Sequence, residues 1–543
     1  MSGLGDLVAP YLDLVTAPFS LPGSRLLVLR DGEGVTVRRA EYERSLDDCI
    51  EVQKIRILDG SGEAVPVSAV FPDRIEFDGV SLTFAGTDGV SIGATSAGSW
   101  VADFVYPGAT ESTRLPVDTT RSVLIAEGER PRPVSEHAHH LASVAAVWNS
   151  WFDRCPRVRH DLQPMAAFCW WVLGINTVTL VGHQDARAVV PSKIGYVGLW
   201  QWDAYFIAAG LRHGDPELAR EQLDIAFRFP TATGQLPDVV HDGGVLASSD
   251  DLPQSDRDKL LRDGSSIARP DAVIPLTKPP LAAWALRRVL EFVDDAEWAA
   301  AAWETVARSQ EWWFAHSDLD GDGMPEYGHP YSSGLDDSPI FDHALPIPSP
   351  DLAAYLIVQD DLLAERASAT GDSAGAVRYR ERAARTLALL EASWDQKGGY
   401  YRAGSPPHLL EEYAVVSLLP LLTGRLTPER VEQIVAALED PALFATPYSV
   451  PTVARSDARF SADTMWRGPV WINVNAMLVE GLQKSGHPER ARELAERTVQ
   501  MVIHGRGPHE YYNPFTGEKA LRATTAFGWS AALFIDLAVG LSA

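Results

Sequence analysis

The sequence predicts a mainly α-helical protein with a small β-sandwich domain at its N-terminus. Between about residues 24 and 125, short segments alternate apolar and polar side chains and are separated by turns rich in Gly and Asp, which is typical of a β-sandwich. Beyond residue 134 the apolar residues recur at helical spacing, in about a dozen segments. Helices without strands favour an α/α arrangement, and a dozen of them would suit a double-ring barrel.

The chain is expected to contain two domains joined by a linker. Residues 1–126 form the predicted β-sandwich-like domain, and the charged stretch 127–134 (EGERPRPV), which has two prolines, is the predicted linker. Residues 135–543 form the predicted helical domain. Its predicted helices span 135–152, 164–174, 202–212, 217–229, 281–292, 297–315, 352–370, 374–394, 411–422, 428–438, 472–485, 488–502 and 524–541.

Composition excludes several classes of partner. The net charge of −26 argues against nucleic acid and anionic membrane surfaces. Only three cysteines occur, which favours a reducing compartment without a disulfide framework. The N-terminus lacks a basic start, and no run of about 18 uncharged apolar residues appears. We therefore expect a cytoplasmic protein with no membrane partner, although a mature form with its signal removed would look the same.

The stretch 318–337 (DLDGDGMPEYGHPYSSGLDD) carries the densest group of chemical side chains. Asp318, Asp320 and Asp322 alternate before Gly323, a spacing that suits a loop around a hard cation. Asp336 and Asp337 follow in a loop of small residues, where carboxylates can do proton chemistry. The alternative is a polar surface loop between two helices. Long ordered loops in compact domains are usually functional, and this one also contains two tyrosines.

Three further clusters combine aromatic side chains with polar ones. Residues 195–203 (GYVGLWQWD) end on Asp203, which could accept sugar hydroxyls between tryptophans or cap the following helix. Residues 465–471 (MWRGPVW) and 507–517 (GPHEYYNPFTG) are the other two, and the last places Glu510 among aromatics. Most of the 16 tryptophans are expected to fill a helical core. Asp336 and Glu510 together are what acid/base hydrolysis of a glycosidic bond requires.

Taken together, these clusters resemble glycoside hydrolase family 63 and its relatives. That group includes bacterial α-glucosidases, processing α-glucosidase I, and mannosylglycerate and glucosylglycerate hydrolases, and trehalases of a neighbouring family share the SGxD element. The resemblance covers roughly residues 135 to 540 and depends on the SGLDD, WRGPVW and GPHEYYNPFTG segments jointly. It implies an (α/α)6 barrel and an inverting mechanism.

The resemblance also implies roles for individual residues. It places the general acid on Asp336, with the adjacent Asp337 as the rival, and the general base on Glu510. The substrate-binding residues that it suggests are Tyr196, Trp200, Asp203, Gly334, Trp466, Arg467 and Trp529. Some bacterial relatives hold calcium at a similar loop, so Asp318, Asp320, Asp322 and Glu326, with the Met324 carbonyl, are the expected ligands of a structural Ca²⁺. No organic cofactor is expected.

The sequence departs from the glycosylglycerate-hydrolysing relatives at one position. Those relatives often have Gln before a Pro-Pro pair, whereas this chain has Lys278 before Pro279. A lysine there could recognise an anionic substrate group or pair with Asp203, so Lys278 is added to the substrate-binding set. His241 is either a pocket residue or a solvated loop histidine.

The expected function is that of an inverting exo-acting α-glycosidase, foremost an α-glucosidase, that acts on a small carbohydrate. The alternative is a mannosylglycerate or glucosylglycerate hydrolase. A glycoside phosphorylase would have no need of Glu510, and a non-catalytic sugar-binding protein would keep the tryptophans but not both carboxylates. The oligomeric state is not predicted.

Overall fold

The structure is a computed structural model that describes residues 3–126, 128–184, 186–252, 254, 273–343 and 345–543. The chain divides into two compact units. The first comprises Met1–Gly198, Arg506–Pro508 and Thr524–Ser542, and the second comprises Leu199–Gly505 and His509–Ala523. The predicted boundaries at residues 126 and 135 stay a prediction. Glu127 lies outside the described residues, and the end of the predicted linker forms a short strand.

The N-terminal part of the first unit is rich in β structure, as predicted. Its strands are β1 Leu26–Asp31, β2 Gly34–Arg39, β3 Ile50–Leu58, β4 Ala64–Val65, β5 Val67–Phe71, β6 Arg74–Phe77, β7 Val80–Phe84, β8 Gly89–Ala94, β9 Trp100–Val105, β10 Thr113–Val117, β11 Ser122–Ala126 and β12 Arg132–Val134. They form two antiparallel sheets, ordered β1-β2-β3-β9-β10 with β4 on β3, and β12-β11-β8-β7-β6-β5. Val37 and Val52 of one sheet and Val90 and Ile125 of the other line one cavity of about 250 Å³, so the two sheets face each other.

The remainder of the first unit is mainly helical. It contains α1 Gly3–Val8, α2 His137–Asp153, α3 Gln163–Ile175 and, from the C-terminus, α13 Gly528–Ser542, with the hairpin β13 Thr177–Leu180 and β14 Ala186–Val189. Helix α3 is buried all round, which agrees with its uninterrupted apolar sequence. It packs against α13.

The second unit is built mainly from helices. These are α4 Gln201–Leu211, α5 Pro216–Phe227, α6 Ala282–Val289, α7 Ala296–His316, α8 Pro350–Ala369, α9 Ser373–Ala392, α10 Pro428–Glu439, α11 Ile472–Lys484 and α12 Pro488–His504. Short strands complete it: β15 Leu199–Trp200, β16 Val239–His241 and β17 Gly244–Leu246 form one sheet, and β18 Trp394–Asp395 pairs with β19 Tyr400–Tyr401. Consecutive helices pack in pairs, α4 on α5, α8 on α9 and α11 on α12. The predicted helical character of this region is confirmed.

The predicted helix over 411–422 is wrong. The segment forms two 3₁₀ turns, Val415–Ser417 and Leu419–Thr423. Pro420 lies inside the predicted helix, where its ring would clash with the preceding turn and its nitrogen could donate no hydrogen bond. Gly424, in the left-handed conformation with φ +63°, then ends the second turn.

None of the helices within the described ranges is both long enough and apolar enough to cross a membrane.

Candidate active site

The turn that carries Asp336 is shaped by its small residues. Pro330–Ser333 forms a 3₁₀ turn that ends at Gly334, whose φ is +70°. A Cβ on Gly334 would lie only 3.1 Å from the Trp202 ring, so the positive φ and the tight contact both favour glycine. Ser333 Oγ donates to the Pro330 carbonyl (2.6 Å) and accepts from the Leu335 N–H (2.9 Å). The turn therefore presents the half-buried Asp336 from a fixed backbone.

Asp337 connects this turn to the loop 465–471. Its Oδ1 accepts the backbone N–H of Trp466 at 2.8 Å. Burial raises the pKa of Asp337 to about 6, while the Trp466 N–H and Arg467 oppose that rise. The hydrogen bond ties Asp337 to the 465–471 loop, and which of the two adjacent acids donates the proton stays a prediction. Arg467 forms a two-pronged ion pair with Asp342, at 2.5 and 3.0 Å.

The loop that carries Glu510 is joined to the same 465–471 loop. Val470 and Tyr512 exchange two backbone hydrogen bonds, at 2.8 and 2.9 Å. Trp466 and Trp471 stack with centroids 3.6 Å apart, and Tyr511 stacks on Trp471 at 4.7 Å. Trp471 Nε1 also donates to the Met465 carbonyl. The loops that carry Asp336 and Glu510 are thus held through one intermediate loop and an aromatic stack.

Asp203 lies at the third position of α4 and is not its N-cap residue. The cap position belongs to Trp200, which makes no side-chain capping bond. Burial raises the pKa of Asp203 well above its usual range; Lys278 opposes the shift, and the nearby Glu510 and Asp238 carboxylates add to it. Asp203 and Glu510, predicted from distant segments, therefore lie within electrostatic reach of each other, both nearly inaccessible to solvent.

The sequence suggests Asp203 as one possible partner of Lys278, but the ion pair is formed with Asp238. Its Nζ lies 3.2 Å from Asp238 Oδ1 and donates to the Tyr331 carbonyl at 2.5 Å. Asp238 precedes β16, and its own carbonyl accepts the N–H of Gln201 at the start of α4. Both charged side chains are buried. The ammonium group of Lys278 interacts electrostatically with the carboxylates of Asp203, Asp238 and Asp336, and all three raise its pKa.

The predicted cation loop gathers its carboxylates. One oxygen from each of Asp318, Asp320 and Asp322 lies within 4.8 Å of the others. Glu326 is buried beside them, and burial together with these acids raises its pKa to about 7. Hard oxygen donors of this kind suit Ca²⁺. Several of the oxygens also accept backbone N–H groups, including those of Gly321 and Gly323, so the loop folds around its own acids.

Most predicted residues belong to the second unit, and two do not. Trp200, Asp203, Lys278, Gly334, Asp336, Trp466, Arg467 and Glu510 lie in the second unit. Tyr196 and Trp529 belong to the first unit, where both rings lie edge-on to Phe527, with centroids 5.9 and 5.1 Å away. His241 is half-buried in the β16–β17 hairpin, where its Nδ1 accepts from Gly243. The roles of all these residues stay predictions.

Asp238 is the charged residue that sequence reasoning missed. It stands beside His241 in the segment 238–242, and nothing in the local spacing marks it. A signal was present in Lys278, because a buried lysine keeps its charge only when an acidic partner lies nearby. The sequence alone does not say which acid supplies it.

Comparison with known proteins finds similar enzymes for the mainly helical part of the chain. Residues 196–530 match the model of the mannosylglycerate hydrolase MGH1-like glycoside hydrolase domain. Mannosylglycerate hydrolase MGH1 of Selaginella moellendorffii is 26% identical over 421 residues, which are 65% of this chain and 83% of that protein. A glucosylglycerate hydrolase of Mycolicibacterium hassiacum is 25% identical over 430 residues, 66% of this chain and 95% of that one.

A solved structure shares the fold. The family 63 mannosylglycerate hydrolase from Thermus thermophilus, in complex with glucose, superimposes with a TM-score of 0.56 at 23% sequence identity. The match covers 68% of this chain and 98% of that one.

Proposed function

This chain belongs to the family of mannosylglycerate hydrolase MGH1-like glycoside hydrolase domains, and it is a glycoside hydrolase; we propose that it hydrolyses a small α-glycoside of the glycosylglycerate type with inversion. Asp336 is the general acid and Glu510 the general base. The single observation that supports this pairing best is the hydrogen-bonded link from Asp337 through Trp466 and Val470 to Tyr512. That link holds the two carboxylate-bearing loops in one fixed relation.

The proposed reaction is a single displacement. Asp336 gives its proton to the glycosidic oxygen as the bond from that oxygen to the anomeric carbon breaks. Glu510 takes a proton from a water molecule, whose oxygen forms the new bond to the anomeric carbon from the opposite face. The leaving group departs as an alcohol, the sugar is released as the β-anomer, and both carboxyls return to their starting states by exchange with solvent.

The glycosylglycerate type is the preferred substrate class because similar proteins carry that activity in their names. Mannosylglycerate hydrolases and a glucosylglycerate hydrolase are similar to this chain over most of their own lengths. The sequence-based preference for an α-glucosidase ranks second. A phosphorylase is disfavoured, since its phosphate would take the place of the base, whereas Glu510 is buried beside Asp203.

The proposal includes the barrel type, the sugar-binding residues and a structural Ca²⁺ site. The helical part of the chain forms an (α/α)6 barrel. Trp200, Asp203, Gly334, Trp466 and Arg467 bind the sugar, and sugar binding by Lys278, Tyr196 and Trp529 stays a prediction from the sequence. Asp318, Asp320, Asp322 and Glu326, with the Met324 carbonyl, hold a structural Ca²⁺. A cytoplasmic location also stays a prediction.

The test is hydrolysis of a panel of compounds containing mannosylglycerate, glucosylglycerate and α-linked glucose disaccharides. Released monosaccharide identifies the substrate, and NMR within the first minutes identifies its anomer. Preferential cleavage of a glycosylglycerate with the β-anomer appearing first is expected. Cleavage of the disaccharides alone would favour the α-glucosidase, and first release of the α-anomer would overturn the inverting mechanism.

A further inference from the structure

A buried ion pair is connected to the turn that presents Asp336. Lys278 Nζ contacts Asp238 Oδ1 at 3.2 Å and donates to the carbonyl of Tyr331 at 2.5 Å. The preceding residue, Thr277, donates its N–H to Ser332 Oγ at 3.4 Å. Two neighbouring residues of one segment therefore bind two neighbouring residues of the 3₁₀ turn that leads into Asp336.

We propose that the Asp238–Lys278 pair positions the general acid: it fixes the turn 330–336, and Asp238 balances the ammonium charge that would otherwise favour loss of the proton from Asp336. The inference rests on the proposed function, because it takes Asp336 as the acid. It adds Asp238 to the residues that serve catalysis, as a positioning residue rather than a catalytic one. It also gives Lys278 a role that does not require an anionic substrate.

The electrostatics of the pair agree with this role. Burial alone would lower the pKa of Lys278, but Asp238, Asp336 and Asp203 outweigh it and raise the pKa, so the ammonium group stays charged. Burial raises the pKa of Asp238 to about 7; Lys278 opposes that shift, and the Asp336 carboxylate adds to it. The ammonium group of Lys278 thus interacts electrostatically with Asp238, Asp336 and Asp203, so removal of the Asp238 charge changes the electrostatic environment of Asp336.

The contacts fall on the acid's turn and not on the loop of the base. The link to Glu510 goes through Trp466 and Val470, which neither Asp238 nor Lys278 contacts through a described hydrogen bond. Loss of the pair should therefore impair proton donation to the leaving group more than attack by water. A leaving group that needs no proton, such as fluoride, separates the two steps.

The experiment compares Asp238→Asn, Lys278→Met and wild type on two substrates with the same sugar. One is the α-glycoside that wild type hydrolyses best, and the other is the α-glycosyl fluoride. Both variants should lose at least about tenfold in kcat on the glycoside, which is part of the roughly 10²–10⁴-fold that general acid catalysis contributes, and much less on the fluoride. If Lys278→Met does not fold, Lys278→Arg is measured, since it keeps the charge but alters the contact with Tyr331.

The pH profile gives a second readout. In Asp238→Asn the Lys278 ammonium is no longer balanced by the Asp238 carboxylate, so Asp336 should lose its proton more easily. The alkaline limb of kcat/KM on the glycoside should then move to lower pH by about one unit. Asp360→Asn is the matched control, because Asp360 forms a buried ion pair with Arg382, at 2.7 and 2.9 Å, on α8 and α9. Its effect should be on stability, with the limb unmoved.

Three results would overturn the inference. Equal losses on glycoside and fluoride would indicate a general structural role, and an unmoved alkaline limb would remove the electrostatic link. A rise in KM with kcat unchanged on both substrates would make Lys278 a substrate-binding residue instead. If wild type cleaves no glycoside of the panel and no fluoride, the proposed function fails first and this inference fails with it.

Discussion

Each compact unit buries a lysine, and the two lysines have opposite environments. Lys193 of the first unit is 1% exposed, and its Nζ donates to Ser20 Oγ (3.1 Å) and the Leu21 carbonyl (3.4 Å). Burial, with a smaller contribution from Arg25, lowers its pKa well below the usual range. Lys278 of the second unit lies among three carboxylates, and its pKa is raised. Both lysines are buried, so the charge of each depends on the groups around it, which are neutral oxygens for Lys193 and carboxylates for Lys278.

The same contrast extends to other buried polar groups. In the first unit His137 lies between Ser81 and Ser91, with its ring nitrogens 2.8 and 2.9 Å from their hydroxyls, and burial lowers its pKa to about 4. Neutral partners of this kind satisfy hydrogen bonds and hold elements together. Asp203 and Asp238 are instead buried close to other acids, which costs stability. Perturbed carboxylates of that kind concentrate at functional sites.

The largest expected effect tests whether the carboxylates of the second unit carry the chemistry. Glu510→Gln removes the base that activates water, so activity should fall about 10²–10⁴-fold on the glycoside and on the glycosyl fluoride alike. The activity of Asp336→Asn should fall as far on the glycoside but much less on the fluoride, because departure of fluoride needs no proton. Steady-state kcat on both substrates measures the pattern.

Asp337→Asn is the matched control for the acid. Its carboxylate accepts the Trp466 N–H, so the variant should weaken the brace without abolishing proton donation. If Asp337→Asn shows the leaving-group dependence and Asp336→Asn does not, the two adjacent acids have exchanged roles.

The second prediction sets the two lysines against each other in stability. Lys278→Met removes one member of a buried ion pair and leaves Asp238 unpaired, which should cost about 3–5 kcal/mol. Lys193→Met should instead stabilise the protein near pH 7. The native state disfavours a charged Lys193 whereas the unfolded state accepts one, so wild type gains stability as pH rises towards the ordinary lysine pKa. Melting temperatures from pH 6 to 10 measure both effects.

The advantage of Lys193→Met should therefore shrink with rising pH. Equal destabilisation by both substitutions, independent of pH, would mean that the two lysines do not differ in charge, and the comparison between the units would fail.

The sequence predicts the elements better than the contacts between them. The helix expected over 428–438 is observed as Pro428–Glu439, because Thr427 caps it, with its Oγ1 accepting from the Arg430 N–H, and a proline occupies its first position. Those signals are local. The helix predicted over 411–422 is wrong because Pro420 interrupts its apolar run, and a proline is a stronger local signal than apolar spacing.

At the candidate site too, the sequence predicts segments better than the contacts between residues that are distant in sequence. The motifs containing Asp203, Asp336 and Glu510 were recognisable as segments, and the structure brings Asp203 within electrostatic reach of Glu510. The pairing of Lys278 with Asp238 was not predictable, because it joins residues 40 positions apart through tertiary packing. Sequence patterns give residue types and spacing, but the partner of a buried charge depends on the three-dimensional arrangement.

The third prediction concerns Asp203, whose raised pKa groups it with the acids of the site. A hydrogen bond that a sugar hydroxyl donates to a buried carboxylate contributes about 1.5–3 kcal/mol. Asp203→Asn should therefore lower kcat/KM at least about tenfold and leave the melting temperature nearly unchanged, because Trp200 and not Asp203 occupies the cap position of α4. A lower melting temperature with unchanged kinetics would instead assign Asp203 to the stability of the helix.

The smallest expected effect concerns the carboxylates of the loop 318–326, which lie nearer the surface than those of the candidate site. A cation bound between these acids would relieve their mutual repulsion and stabilise the native state alone. Added Ca²⁺ should therefore raise the melting temperature, and at a concentration 100 times its dissociation constant it should raise the free energy of unfolding by about 2.7 kcal/mol. Chelation should reverse the rise. Asp320→Asn should weaken the response, since it removes the negative charge of one of the three gathered carboxylates. Asp118→Asn, which alters a loop carboxylate paired with Arg121 in the first unit, should keep it. If Ca²⁺ does not change the melting temperature of wild type, backbone N–H groups alone suffice to hold these acids together. Those groups belong to Gly321, Asp322, Gly323 and Met324.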